Sequence, residues 1–202
     1  MLRALCYFPL RSSCLRSHCI LLTYYQRRLP HWHPDGAAFF VTWRLHGTLP
    51  NVARSHAVAR SHAPRSFELY DQLLDSDPTG PRWLTIPEVA HSVTEVFRQA
   101  ASKWELCELR AWVLMPNHVH VLLRPRHPLM RVLQTLKSAT ARHANRILRR
   151  SGEPFWQDES FDHWIRNRDE EERTVRYIES NPVSAGLAAT PESWLWSSAS
   201  TP

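Results

Sequence analysis

An α+β fold is what this 202-residue chain predicts, on three observations. Short runs rich in aromatic and β-branched residues alternate with segments of helical periodicity, in the order strand, helix, strand, strand, helix, strand, helix. Two of the strand-like runs are separated only by Met115-Pro116-Asn117, a turn-forming break that makes them a hairpin. A hydrophobic fraction of 43% with nine Trp is that of a folded chain with one core, and a single domain is expected. Helices packed on an antiparallel sheet in this order fit a ferredoxin-like (RRM-like) core best.

The first strand is Phe39 to Leu45, bounded by Gly36 on one side and by Gly47 and Pro50 on the other. Residues 46–85 form a long polar connection with a short echo, Arg54-Ser55-His56-Ala57 and Arg60-Ser61-His62-Ala63, treated as chance. Pro87 suits a first helical position, and Val89, Val93, Val96, Phe97 and Ala100 follow at helical spacing to about Lys103. The hairpin of Leu109–Leu114 and His118–Leu123 is expected in the middle of the sheet. A second helix runs from about Leu129 to Arg149 with Leu129, Val132, Leu133, Leu136, Ala139, Thr140 and Ala144 on its apolar stripe. Pro154 to Ile165 is aromatic and extended. A third helix spans about Asp169 to Ser180, its first turn loaded with Asp169, Glu170, Glu171 and Glu172 as the helix dipole favours, and Pro182 is expected to stop it.

No run approaches the ~18 apolar residues of a membrane-spanning helix, so no membrane is expected. Residues 1–23 are a doubtful or disordered leader, since Arg3, Arg11 and Arg16 break every apolar run and no cleavage site follows. Three of the four cysteines, Cys6, Cys14 and Cys19, lie there, with only Cys107 in the body; their spacing suits neither zinc nor a disulfide framework, and a cytoplasmic location is the default. The net charge of +6 and pI near 9.5 are unevenly spread. Residues 1–64 hold eight Arg and one acid, Asp35, while residues 124–150 hold eight basic residues and no acid. A polyanion is the natural partner of such a basic side, although a solvated basic helix has the same composition.

In His118-Val119-His120-Val121-Leu122-Leu123 the two-residue period puts His118, His120 and Leu122 on one face. Paired imidazoles can share one divalent ion; two histidines on a strand are also commonly just a hydrogen-bonded pair. On the third helix Tyr177 and Asn181 are four residues apart and share a face, which Arg173 and Thr174 extend. Alone, they read equally well as a packing tyrosine and a helix terminator.

Together these motifs resemble the REP-associated tyrosine transposases, of the superfamily of single-tyrosine (HUH) nucleases marked by histidine-hydrophobic-histidine. The resemblance is carried by Ala111-Trp112-Val113-Leu114-Met115-Pro116-Asn117-His118-Val119-His120, by Phe155-Trp156-Gln157-Asp158-Glu159-Ser160, by Tyr177-Ile178-Glu179-Ser180-Asn181-Pro182-Val183-Ser184-Ala185-Gly186-Leu187 and by Trp194-Leu195-Trp196-Ser197-Ser198-Ala199. It covers residues 24–199, the expected transposase domain, with the leader and the 46–85 connection as departures.

The resemblance implies that His118, His120 and Asn181 hold Mg²⁺ or Mn²⁺, and that Tyr177 attacks single-stranded DNA at a REP-like hairpin. A 5′-phosphotyrosine and a free 3′-hydroxyl result, without ATP. A phenol of pKa ~10 needs help to act at neutral pH, and two neutral imidazoles with an amide leave the ion's charge uncompensated by any carboxylate. Histidine suits Mn²⁺ better than Mg²⁺. DNA contacts are expected from Arg27, Arg28 and Arg44 and from Arg131, Lys137, Arg142 and Arg146 on the second helix, with Trp32, Trp43 or Trp156 available to stack on bases. Trp194 and Trp196 are expected to pin the tail.

Leu122 leaves the His-x-His-x-His pattern of histidine-triad hydrolases incomplete. The alternatives kept are a catalytically silent DNA-hairpin-binding protein and a phosphohydrolase using water. The resemblance further implies a bacterial, nucleoid-associated protein; monomer and homodimer stay open.

Overall fold

The computed structural model describes residues 23–26, 30–34, 36–48, 71, 74–75 and 80–200. Residues 1–22 of the expected leader, Arg27, Arg28 and the bulk of the 46–85 connection lie outside the described residues.

Two short strands, β1 (Thr23–Gln26) and β2 (Pro30–His33), form an antiparallel pair that the sequence did not suggest. The main sheet is built from β3 (Phe39–Arg44), β4 (Cys107–Leu114), β5 (His118–Pro125) and β6 (Phe161–Trp164). Its order is β4-β5-β3-β6, every pair antiparallel. With α1 (Pro87–Ser102) between β3 and β4 and α2 (Leu129–Ile147) between β5 and β6, this is the split βαβ arrangement of the ferredoxin-like fold. A third helix, α3 (Arg168–Ser184), follows β6.

Side-chain alternation divides the sheet into two faces. Phe39, Val41, Trp43, Trp112, Leu114, Val119, Val121 and Leu123 point to one side and are buried in a large core with Val89, Val93 and Phe97 of α1 and Val132, Leu133 and Leu136 of α2. Phe40, Ala111, Val113, Met115 and Leu122 point to the other and pack with Ile178 of α3. Both crossovers thus lie behind the sheet, and α3, with Asp71 and Leu74, lies on the face that carries His118 and His120.

Three expectations about elements are corrected. The β4–β5 hairpin is not central: β4 is an edge strand, and the carboxy-terminal segment covers it. Trp196 accepts from Leu114 N through its carbonyl (2.8 Å), Val113 bridges Ser197, and Trp194 Nε1 donates to Leu114 O at 2.9 Å. Both tail tryptophans therefore pin it, Trp196 by packing on the larger core. Pro182 does not stop α3, which continues to Ser184. Proline removes only the donor that would reach Ile178, and Ala185 N still closes the last turn onto Asn181 O (3.0 Å). Finally, Trp43 and Trp156 are 1% and 6% exposed and meet edge to face, ring centroids 6.0 Å apart, so neither presents a face to a base. Trp32's side chain is outside the described residues.

Helix α3 has the clearest local cause. The Asn167 side chain accepts from Glu170 N (2.9 Å), Glu170 in turn accepts from Arg166 N (2.7 Å) and bonds His163 Nε2 (2.9 Å), and Asp169 and Glu171 complete an acidic first turn. No helix among the described residues is long and apolar enough to cross a membrane.

Candidate active site

Strand β5 opens immediately after the turn at Met115–Asn117, which Met115 N closes onto His118 O (2.9 Å). In the β3–β5 register Thr42 faces His120 and Arg44 faces His118, so these four side chains share the α3 face. Both imidazoles are fully buried.

Each ring is fixed through Nδ1. Asn117 Nδ2 donates to Leu74 O at 2.7 Å, which turns Asn117 Oδ1 towards His118 Nδ1, also 2.7 Å away. The His118 proton therefore sits on Nδ1 and its Nε2 keeps a lone pair. His120 Nδ1 lies 2.7 Å from Thr42 Oγ1. The two Nε2 atoms then meet at 3.1 Å. Burial above all, then the neighbouring His120, pushes His118 down to about 3, against a smaller opposing pull from Asp71; His118 is the neutral ligand form at physiological pH.

The third member is one the sequence reading missed. Asp71 is buried, and its Oδ2 stands 3.2 Å from His120 Nε2. Asp71, His118 and His120 offer ligand atoms all within 4.8 Å of one another, all three buried. Burial would raise the Asp71 carboxyl, but His120, by charge and hydrogen bond, with His118 and the Tyr177 phenol, outweighs it and holds the group below the ordinary range. Asp75 goes the other way, raised to about 6 by burial and by the charge of Asp71.

Helix α3 brings the tyrosine. The Tyr177 hydroxyl donates to Asp71 Oδ2. Its ring stands edge-on to His120 and to Phe40, at centroid distances of 5.9 and 6.0 Å, while Phe40 stacks on His120 at 5.6 Å. Asn181, one turn further along the same face, is 5% exposed, and its Oδ1 has no hydrogen-bond partner among the described residues. Asp71 Oδ1 is in the same condition. Leaving a buried acceptor unpaired costs ~1–3 kcal/mol, and the Asp71 oxygen beside the buried pair of imidazoles suits a cation. Asp71, His118 and His120 can hold a divalent metal; Asp71 adds a carboxylate to the neutral donors expected from the sequence.

The expected DNA-binding residues are scattered. Arg44 is 4% exposed and its guanidinium turns inward to the Thr48 carbonyl and to Thr48 Oγ1 (3.0 Å), so it is not part of a surface arm. Lys137 donates to the Gln157 and Asp158 carbonyls at 2.6 and 2.8 Å, tying α2 to the segment before β6. Arg131, Arg142 and Arg146 are exposed, but on α2, behind the sheet from His118 and His120.

The model of the family described as "Transposase IS200 like" matches residues 82–181. The segment that carries the histidine pair and the tyrosine belongs to the IS200-like transposase family. His118, His120, Tyr177 and Asn181 fall within the matched residues; Asp71, Thr42 and Arg44 precede them. Among solved structures, the fold resembles a REP-associated tyrosine transposase bound to a REP hairpin, with TM-score 0.54 and 18% identity over 85% of this chain and 82% of that one. A transposase structure from Deinococcus radiodurans R1 is a weaker likeness, TM-score 0.40 and 18% identity over 71% of this chain and 89% of that one. No curated protein matches the chain. The transposase is thus a DNA-acting protein by family, with a ferredoxin-like sheet that sets two buried histidines against a helical tyrosine.

Proposed function

We propose that this transposase is a metal-dependent endonuclease and strand transferase acting on single-stranded, REP-like hairpin DNA, through a 5′-phosphotyrosine intermediate. The observation that carries the proposal is the convergence of the Tyr177 phenol and the His118–His120 pair on one carboxylate, Asp71.

His118, His120, Asp71 and Asn181 would hold the ion. Two imidazoles favour Mn²⁺, and the oxygens of Asp71 and Asn181 widen the set towards Mg²⁺. When bound, such an ion supplies positive charge for the scissile phosphate. The chain's own groups do the rest. Asp71 orients the phenol and accepts its proton as Tyr177 Oη bonds to phosphorus. The bond from phosphorus to the 3′ oxygen breaks, and the leaving oxygen takes a proton from water to become a 3′-hydroxyl. Attack by a 3′-hydroxyl on the adduct reverses these steps and rejoins strands. A carboxylate held below its ordinary range is a weak base towards a phenol of pKa ~10, so orientation is its larger contribution until bond formation acidifies the phenol.

The REP-associated relative was bound to a REP hairpin, which supports hairpin DNA as the substrate class; Arg131, Arg142 and Arg146 are proposed to meet its stem. A silent hairpin-binding protein would be expected to have lost a member of the set, and here none is lost. We place the protein in the cytoplasm beside nucleoid DNA, as a monomer or homodimer. Incubation with labelled hairpin DNA and Mn²⁺ or Mg²⁺, followed by denaturing electrophoresis, should give a protein–DNA adduct that disappears in Tyr177→Phe and in His118→Ala. Cleavage persisting unchanged in Tyr177→Phe would overturn the nucleophile.

A further inference from the structure

The catalytic face of the sheet carries a second feature that the proposed chemistry does not use. At the end of β5 away from His118 there is an open cleft of about 660 Å³, lined by Arg110, Arg124, Arg166, Arg168, Arg176 and Glu171 among others. Two-residue alternation puts Arg124 on the same face as His118, His120 and Leu122. Helix α3 forms one wall with its first turns and carries Tyr177 beyond them. The cleft and the tyrosine therefore lie along one side of the molecule, joined by a single helix.

Its charge is partly neutralised from within. Arg110 Nε donates to Glu171 at 2.8 Å and its NH1 to Glu108 at 2.9 Å; Arg124 stands 3.7 Å from each of the same two carboxylates; Arg168 pairs with Glu172 at 3.1 Å. Arg176 is exposed and makes no ion pair among the described residues, and the Arg166 guanidinium lies 5.8 Å above the Trp164 ring. Five guanidinia against two lining carboxylates leave a surplus of planar donors suited to phosphate oxygens. The nine residue steps along α3 from Arg168 to Tyr177 span about 14 Å, and the six along β5 from His118 to Arg124 about 20 Å. At the stacked spacing of about 3.4 Å per nucleotide along one strand the longer span is about six nucleotides, and an extended strand covers it with fewer.

We propose that this cleft binds the phosphodiester backbone of the single-stranded flank of the substrate, within about six nucleotides of the bond that Tyr177 attacks. The inference rests on the proposed function, since it takes the DNA strand to lie along α3. It also supplies what α2 does not: the basic residues of α2 lie behind the sheet, whereas the cleft opens on the side of the nucleophile. Glu171 holds Arg110 and Arg124 in place and at the same time competes with phosphate for them.

The test is fluorescence anisotropy with hairpins bearing a single-stranded flank of two or of eight nucleotides, each titrated over a salt series. The wild type is expected to bind the longer flank more tightly. Arg166→Ala with Arg176→Ala should abolish that advantage and reduce the steepness of the log–log salt dependence by about 1.4, at ~0.7 per phosphate contact on a single strand, with the melting temperature unchanged. Glu171→Gln should shift the other way, to tighter binding and a steeper salt dependence on the long flank alone, a gain that a purely structural role for Glu171 does not produce. Equal affinity for the two flanks in the wild type, or variants that bind both like the wild type, overturn the proposal. Adduct formation by the same proteins is scored separately. An adduct without flank dependence removes the cleft and leaves the chemistry, and flank dependence without an adduct does the reverse.

Discussion

Tyr177 and Asp71 are joined by a hydrogen bond across 106 residues of chain, from the phenol to the carboxylate that also touches His120. Through it the nucleophile's position is coupled to the histidine pair rather than set by α3 alone. Asp71→Asn keeps an acceptor for the phenol but lowers both its basicity and its charge. In single-turnover assays with hairpin DNA the adduct should form about 10²-fold more slowly or less, the low end of a general-base contribution, while Tyr177→Phe gives no adduct. An unchanged rate in Asp71→Asn would remove Asp71 from the site.

Asn117 should matter to metal binding without touching the metal. Its Oδ1 accepts a hydrogen bond from His118 Nδ1 and its Nδ2 is anchored on Leu74 O, so it sets the tautomer that leaves His118 Nε2 unprotonated. Partners of this kind are worth ~10–100-fold in metal affinity. Calorimetric titration with Mn²⁺ alone should show that loss in Asn117→Ala and near-complete loss in His118→Ala. Equal affinity in Asn117→Ala and wild type would show that the ring needs no such support.

Much of this arrangement was readable from residues. The strand at Phe39, the helix opened by Pro87 and the hairpin at Pro116-Asn117 rest on local chemistry, and the alternation of His118 and His120 survives any topology. The buried Asp71 was not readable, because its partners are 47, 49 and 106 positions away and it lies in a stretch taken for polar connection. A sign was there: Tyr70, Asp71, Leu73 and Leu74 place one acid among apolar residues at helical spacing. Periodicity likewise identified the basic face of α2 but not which side of the sheet the helix would take. The handedness of crossovers decides that: right-handed β3-α1-β4 and β5-α2-β6 connections put both helices on one face and leave the histidines to α3. Arg44 went astray for a related reason, since its register opposite His118 places it on the histidine face, where its guanidinium is buried against Thr48 and not in solvent.

The start of α3 should be pH-sensitive through Glu170. Burial raises its carboxyl, but the hydrogen bond with His163 and the Arg166 backbone donor, with the charges of both, outweigh it and hold it below the ordinary range. A carboxyl depressed in the folded state stabilises above its unfolded pKa and loses that contribution as pH falls through the folded value. Glu170→Gln should therefore cost about 1 kcal/mol at neutral pH, the scale of a helix-start interaction. The gap from wild type should narrow as the pH falls below the ordinary carboxylate range and close as it passes the folded value. Chemical denaturation at several pH values measures it, and a gap that does not narrow as the pH is taken down through and below the ordinary carboxylate range would mean that packing, not charge, is what Glu170 provides.

Asn181 separates a ligand from a bystander by the sign of two effects. Its Oδ1 is buried and unpaired among the described residues, so in metal-free protein its loss removes an unsatisfied acceptor, and Asn181→Ala should be close to neutral in stability, the packing loss offset by relief of a penalty of ~1–3 kcal/mol. With Mn²⁺ present the order should invert. A ligand that binds only the folded state raises stability by RT ln(1 + [L]/Kd), and a variant lacking one donor has a larger Kd and a smaller rise. Thermal melts with and without Mn²⁺ should show a metal-induced increase in wild type that shrinks in Asn181→Ala, together with a higher Mn²⁺ requirement for adduct formation. An increase of equal size in both proteins would take Asn181 out of the donor set and leave Asp71, His118 and His120 as the metal site.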